Sequence, residues 1–130
     1  MDLDTLKART LAAREISHPI GELVYRLRLP TQHDVLLAAR RSGATGAAAD
    51  GTGLLILQRA LIEAALIGWS GLRVGHLLPD DPEAASPLAW EPGAVALLLD
   101  ARPGDAQALA DALSEQMATR KQAREADAKN

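Results

Sequence analysis

Three histidines and a pair of adjacent aspartates are the residues of this 130-residue chain that could do chemistry. His18, His33 and His76 lack the three- or four-residue spacing that places two ligands on one helix face, and no glutamate completes a metal motif. Asp80-Asp81 lies between prolines, which favours a turn over a magnesium or acid–base site, because adjacent carboxylates rarely converge on one ion. The residues therefore predict no catalytic site, no metal site and no cofactor.

Motifs for nucleotides and nucleophiles are missing as well. The glycines between residues 43 and 53 are not followed by the lysine–serine or lysine–threonine pair of a phosphate loop. Gly68-Trp69-Ser70-Gly71 does not have the spacing of a nucleophile elbow. The chain has no cysteine, and its net charge of -3 gives no electrostatic footprint for nucleic acid. The sequence favours a protein without catalytic activity.

Two arginines and two tryptophans are candidates for partner contact. Arg26 and Arg28 share one face of a predicted strand and form either a basic patch for a phosphate or acidic partner, or ordinary surface charge. Trp69 follows an apolar helix and either closes the core or anchors an interface. Trp90 lies in a proline-flanked segment, where an interface role and a structural role are equally open.

The N-terminal part of the chain predicts two helices around a strand. Residues 3–15 have a thin apolar stripe, so we expect a helix that attaches loosely. Residues 22–29 alternate between apolar and polar side chains and predict a strand, whose partner is either the segment 16–20 or another chain. Thr31-Gln32-His33-Asp34 resembles a capping box that starts the next helix. The glycine- and alanine-rich segment 42–53 predicts a flexible loop.

The central segment is the most apolar part of the chain. A helix with few polar positions is predicted from Leu54 to Ile67, ending in Gly68-Trp69-Ser70-Gly71-Leu72. The helix is shorter than the roughly 20 apolar residues that span a bilayer, and Arg59 and Glu63 interrupt it. The first residues are acidic and do not form a signal peptide, so the expected location is the cytoplasm.

The C-terminal part predicts two more helices after a proline-rich connection over residues 73–87. Pro92 suits the first turn of a helix that runs to Asp100 and is ended by Arg102-Pro103-Gly104. Asp105 is predicted to cap the last helix, which carries one apolar stripe. The stripe consists of Leu109, Leu113 and Met117. Residues 120–130 are charged or alanine and predict a solvated tail.

These elements together predict a mainly α fold, with four to five packed helices and a short N-terminal β-strand or hairpin. The length fits one domain over residues 1–130. Within it, residues 1–15 form a loosely attached helix and residues 120–130 the tail.

The order of elements resembles the tail assembly chaperones of long-tailed bacteriophages and related prophages. The similar parts are the arginine-bearing strand that leads into a Pro-Thr-capped helix, Val24-Tyr25-Arg26-Leu27-Arg28-Leu29-Pro30-Thr31, and the central helix that ends in Gly68-Trp69-Ser70-Gly71-Leu72. A proline-containing turn, a short apolar helix and a charged terminal helix complete the pattern, which covers most of residues 16 to 125.

The resemblance implies a non-enzymatic protein of the host cytoplasm that binds the tape-measure protein and helps the tail-tube protein to polymerise around it. It also implies a possible homo-oligomer and no contact with nucleic acid or membrane. The candidate partner-binding residues are Leu54, Leu57, Leu61, Trp69, Trp90, Arg26 and Arg28. The alternative is a virion structural protein, such as a head–tail connector or tail completion protein.

Overall fold

A computed structural model describes residues 1–42 and 51–129. Over these residues the chain forms five α-helices, one 3-10 helix and one three-stranded antiparallel sheet, so the fold is broadly mainly α, with the hairpin that the sequence predicts. The elements are α1 (Leu3–Ala13), β1 (Glu15–Ile20), β2 (Leu23–Arg28), α2 (Gln32–Ser42), α3 (Gly51–Ala65), β3 (Leu66–Ser70), the 3-10 helix (Val74–His76), α4 (Pro92–Ala101) and α5 (Pro103–Lys129).

The hairpin of β1 and β2 follows from the alternation in β2. Leu23, Tyr25 and Leu27 point to one face and are buried, whereas Arg26 between them is exposed. The segment predicted as a partner strand is β1, which pairs with β2 in antiparallel register from Glu15↔Arg28 to Ile20↔Leu23. The buried face of β2 is therefore the floor of the core.

The prediction of one helix from Leu54 to Ile67 is wrong at its C-terminal end. Helix α3 stops at Ala65, and the segment Leu66–Ser70 is strand β3, which pairs with the open side of β2. The reason is that β2 has two edges, and the backbone groups of the second edge are satisfied by β3. A short apolar run fits a buried strand as well as a helix, so the sequence pattern did not separate the two.

The predicted loop over residues 42–53 lies mostly outside the described residues, which leave out 43–50. At its C-terminal end the prediction is wrong, because α3 already begins at Gly51. At its N-terminal end, α2 continues to Ser42.

The start of α2 has the predicted capping box. The backbone N–H of Thr31 donates to Asp34 Oδ2 at 2.9 Å, and the backbone N–H of Asp34 donates to Thr31 Oγ1 at 3.1 Å. The Thr31 N–H holds the pKa of the Asp34 carboxyl below its ordinary value, with a further contribution from Arg14, whose guanidinium lies 3.7 Å away. These contacts fix the start of α2 beside the end of α1.

The core lies between the inner face of the sheet and helices α3, α4 and α5. Its fully buried side chains include Leu27 from β2, Leu66 from β3, Leu98 from α4 and Leu109 from α5. The apolar stripe predicted for the last helix is confirmed, because Leu109 and Leu113 are buried and Met117 packs against the same cluster.

Helix α1 and the boundary between α4 and α5 differ in detail from the sequence prediction. Helix α1 ends at Ala13, because Glu15 belongs to β1, and no residue of α1 is buried. Helix α4 ends at Ala101 with Arg102 as its C-cap, so the predicted end of this helix at Arg102 is confirmed. The predicted cap at Asp105 is wrong, because only Arg102 separates α4 from α5. Helix α5 begins at Pro103, whose missing N–H suits a first helical position, and continues as helix to Lys129 with residues 121–128 exposed.

Candidate functional site

A groove runs between α2 and α3, and we call it the α2–α3 groove. It has a volume of about 390 Å³. Its apolar lining residues are Leu37, Ala38, Ile56, Ala60 and Ala64. Asp34, Arg41, Arg59 and Glu63 form its charged rim. Along α3 the lining extends from Ile56 to Ala64, about 12 Å at the rise of an α-helix. The groove therefore accommodates roughly two turns of a partner helix.

Arg59 on the rim is occupied by contacts within the chain. Its guanidinium binds Asp100, Glu63 Oε1 at 3.1 Å and the carbonyl oxygen of Ala96 at 3.4 Å. The bonds to Asp100 and Glu63 raise the pKa of Arg59, and the Arg59 bond lowers the pKa of the Asp100 carboxyl. Arg59 thus fastens α4 to α3, which leaves the apolar residues to dominate the groove.

The exposed apolar side chains of α3 are not the ones that the sequence singled out. Leu55 is 61% exposed and Ile56 is 43% exposed, whereas Leu57 and Leu61 are half-buried. The described side chains of α3 that enter the core are those of Ile62 and Ala65, and neither Leu57 nor Leu61 lines the groove. The side chain of Leu54 lies outside the described part of the chain.

The two tryptophans hold the segment after β3 against the sheet. Trp69 is half-buried, and its Nε1–H donates to the carbonyl oxygen of Leu88 at 2.7 Å. Trp90 is 39% exposed, and its Nε1–H donates to the carbonyl oxygen of Leu66 at 3.1 Å. Because each indole bridges β3 and the segment 88–90, both residues have a structural role in the chain itself.

Arg26 and Arg28 lie side by side on β2, as the strand pattern predicts. Both guanidinium groups contact Glu15 on β1, at 3.3 Å for Arg26 and 3.4 Å for Arg28. Arg26 is exposed and Arg28 is half-buried. A shared carboxylate neutralises part of the positive charge that the sequence places on this face.

A second groove lies between the start of α2 and the C-terminal half of α5, and we call it the α2–α5 groove. It has a volume of about 980 Å³. Leu29, Pro30, Val35 and Met117 supply most of its apolar surface. Arg14, Arg120, Lys121 and Arg124 supply its charged groups, and no carboxylate is among the described residues that line it. The groove therefore combines an apolar floor with a basic rim.

A buried polar cluster joins the sheet to the last helix. The Tyr25 hydroxyl donates to Asp105 Oδ2 at 2.7 Å, and Arg102 Nε donates to the same oxygen at 2.8 Å. Tyr25 and Asp105 are both buried, and neither lines either groove. The sequence signal for this cluster is Tyr25 at an inward position of β2, because a buried hydroxyl needs a partner. The cluster orders the core and does not open onto a groove.

The Tyr25 hydroxyl predicts a loss of stability in alkaline solution. Burial, followed by the bond to Asp105, raises the pKa of Tyr25 above its ordinary value of 10.0. The folded state thus favours the protonated hydroxyl. Its contribution to the free energy of unfolding is complete below pH 10.0 and is lost as the pH rises further. We expect the free energy of unfolding to fall by about 1.4 kcal/mol per pH unit above that point.

Urea unfolding at several pH values between about 8 and 11.5 measures this slope. Tyr25→Phe is the matched variant, because it keeps the ring and removes the titrating group. The difference in slope between the two proteins isolates Tyr25 from lysines, which titrate in both. Parallel curves for the two proteins would contradict the prediction.

Among residues 1–42 and 51–129, no group of three histidine, aspartate or glutamate side chains is placed to hold a metal ion. None of the helices in these ranges is long and apolar enough to cross a membrane. Comparison of the chain with protein-family models, with curated proteins and with solved structures finds no match.

Proposed function

We propose that this protein is a non-enzymatic tail assembly chaperone that holds apolar helical segments of a tape-measure protein in the α2–α3 groove until tail-tube subunits polymerise around them. The observation that carries the proposal is the exposed side chain of Ile56, which is 43% accessible and lines this groove. Leu55, the preceding residue of α3, is also exposed but does not line the groove.

The apolar surface of α3 is suited to a helical partner. An amphipathic helix binds by laying its apolar face into a groove, and each square ångström of apolar surface removed from water contributes about 25 cal/mol. The alanines Ala38, Ala60 and Ala64 allow a partner backbone to approach closely, because their side chains are short. The groove holds about two turns, so each contact is weak and many copies would act together along a long partner.

Three of the four charged residues around the α2–α3 groove are held by contacts within the chain. Arg59 and Glu63 are paired with each other, and Asp34 accepts the Thr31 N–H and faces Arg14. The fourth charged residue of the rim is Arg41. An apolar floor with a mostly neutralised rim suits a partner recognised by its apolar face.

Co-expression with the longest helical protein encoded beside this one tests the proposal. We expect the wild-type chain to keep that protein soluble and to co-elute with it in size-exclusion chromatography with light scattering. I56S is expected to weaken the complex about tenfold, because the exposed apolar side chain that lines the groove becomes polar. L97S is the matched control, since Leu97 on α4 is 61% exposed and does not line the groove.

Failure to co-elute, or equal losses for I56S and L97S, would contradict the α2–α3 groove as the binding site. Mass spectrometry of purified particles separates the chaperone from a virion structural protein. A chaperone leaves before the particle is complete, so its presence at a fixed copy number in finished virions would favour a connector.

A further inference from the structure

We propose that helix α1 of one copy of this chain docks into the α2–α5 groove of a second copy, so that two chains exchange their N-terminal helices. The proposal goes beyond the tape-measure function and does not depend on it. It rests on a helix with exposed leucines and an acidic N-terminal end, and on a groove with an apolar floor and a basic rim.

Helix α1 has partly exposed leucines and no buried residue. Leu3, Leu6 and Leu11 are 64%, 49% and 39% exposed. An isolated helix of this length is marginal in water, so α1 gains stability from a surface that covers these leucines further. The described residues of its own chain leave them partly exposed, which points to a second copy.

The α2–α5 groove has the complementary surface. Leu29, Val35 and Met117 give it an apolar floor, and Lys121 and Arg124 lie on its rim without a carboxylate among the described lining residues. The N-terminal end of α1 is acidic, with Asp4 in the first turn and Asp2 as the N-cap, whereas Lys7 and Arg9 lie further along the helix. The attraction to Lys121 and Arg124 is therefore limited to this end, and it favours the orientation that places Asp4 at the basic rim.

The point at which α1 joins the rest of the chain lies at the edge of the α2–α5 groove, which allows two copies to exchange their helices. The carbonyl oxygen of Ala13, the last residue of α1, accepts a bond from Arg120 Nη1 at 2.9 Å, and Arg120 lines the groove. The next residue, Arg14, lines the groove as well. Because α1 leaves the chain at the edge of the groove, two copies related by a twofold axis each offer a helix and a groove to the other.

Sedimentation velocity of the full chain between about 1 µM and 200 µM tests the exchange. We expect a dimer that L6S and R124E each weaken about tenfold, L6S by removing an apolar contact and R124E by placing like charges together. D4K is expected to weaken the dimer to a similar extent. Asp2 is left unchanged, because its carboxylate caps the Thr5 N–H at 2.7 Å.

Mixing D4K with R124E provides the decisive measurement. In the mixed dimer, the introduced lysine of one chain meets the introduced glutamate of the other, and the second groove keeps the wild-type pair. The mixture is therefore expected to dimerise more tightly than either variant alone. A helix that folded back into its own groove would give no recovery on mixing, which would overturn the proposal.

R40E is the matched control for charge reversal, since Arg40 is exposed on α2 and lines neither groove. We expect its dimer to be as tight as that of the wild type. Circular dichroism checks that L6S, which changes no buried residue, retains the wild-type fold. A wild-type chain that stays monomeric at every concentration, or a dimer unaffected by L6S or R124E, would overturn the proposal.

Discussion

Replacing Asp105 by alanine is expected to lower the free energy of unfolding by about 3 kcal/mol. The carboxylate accepts both the Tyr25 hydroxyl and Arg102 Nε, so its removal leaves a buried hydroxyl and a half-buried guanidinium without their partner. The bond to Asp105 is also the main cause of the raised pKa of Arg102, because the carboxylate stabilises the charged guanidinium. For a domain of this size the melting temperature should fall by roughly 10 °C.

Urea denaturation of Asp105→Ala and of two further variants measures the effect. Asp105→Asn retains one acceptor oxygen and is expected to lose less. Asp111→Ala is the matched control, because Asp111 is an exposed aspartate of the same helix whose bond is to Gln107 at 2.9 Å. It should change stability by less than about 0.5 kcal/mol. A loss at Asp105 no larger than that at Asp111 would contradict the role of the cluster.

Replacing Gly75 by alanine is expected to cost about 3 kcal/mol, at the upper end of overpacking effects. Gly75 is buried in the 3-10 helix, and its N–H donates to the carbonyl oxygen of Ala84 at 3.0 Å. A Cβ at this position would overlap the Pro82 carbonyl oxygen and lie 2.8 Å from that of Ala84. These are backbone atoms, so a rotamer change cannot relieve the overlap, and the segment 82–84 that passes over Gly75, which we call the crossing segment, must move.

Thermal unfolding and tryptophan fluorescence measure this change. Displacement of the crossing segment should break the Trp69 bond to Leu88, which shifts the emission toward that of a hydrated indole. Gly93→Ala is the matched control, because nothing lies within 4 Å of a Cβ there and alanine is the better helix former. We expect Gly93→Ala to be neutral or slightly stabilising. Wild-type stability and emission for Gly75→Ala would contradict the prediction.

The features that the sequence predicted correctly are local ones. The alternation of β2 shows its buried face, because every second side chain of a strand points the same way. The start of α2 is encoded by Thr31 and Asp34, which satisfy each other's backbone groups within one turn. Such patterns need no knowledge of the rest of the chain.

The features that the sequence did not predict depend on distant parts of the chain. Leu66–Ser70 is a strand because it pairs with the open edge of β2, and the apolar run alone does not indicate that such an edge is present. Asp105 looks like a helix cap, but its partner Tyr25 is 80 residues away. For the candidate site, the apolar character of α3 was evident, but which of its side chains stay exposed depends on how α4 and α5 pack against the helix.

The pairing of the three strands also has a consequence for how the chain assembles. β1 and β2 are joined through Gly21 and Glu22, where Gly21 takes a φ of 59°, so this hairpin closes locally. β3 reaches β2 only after α2 and α3, and α5 arrives later still. Closing these long spans costs chain entropy before their contacts compensate for it. We therefore expect the hairpin to form early and the docking of β3 and α5 to be the slow step that completes the core.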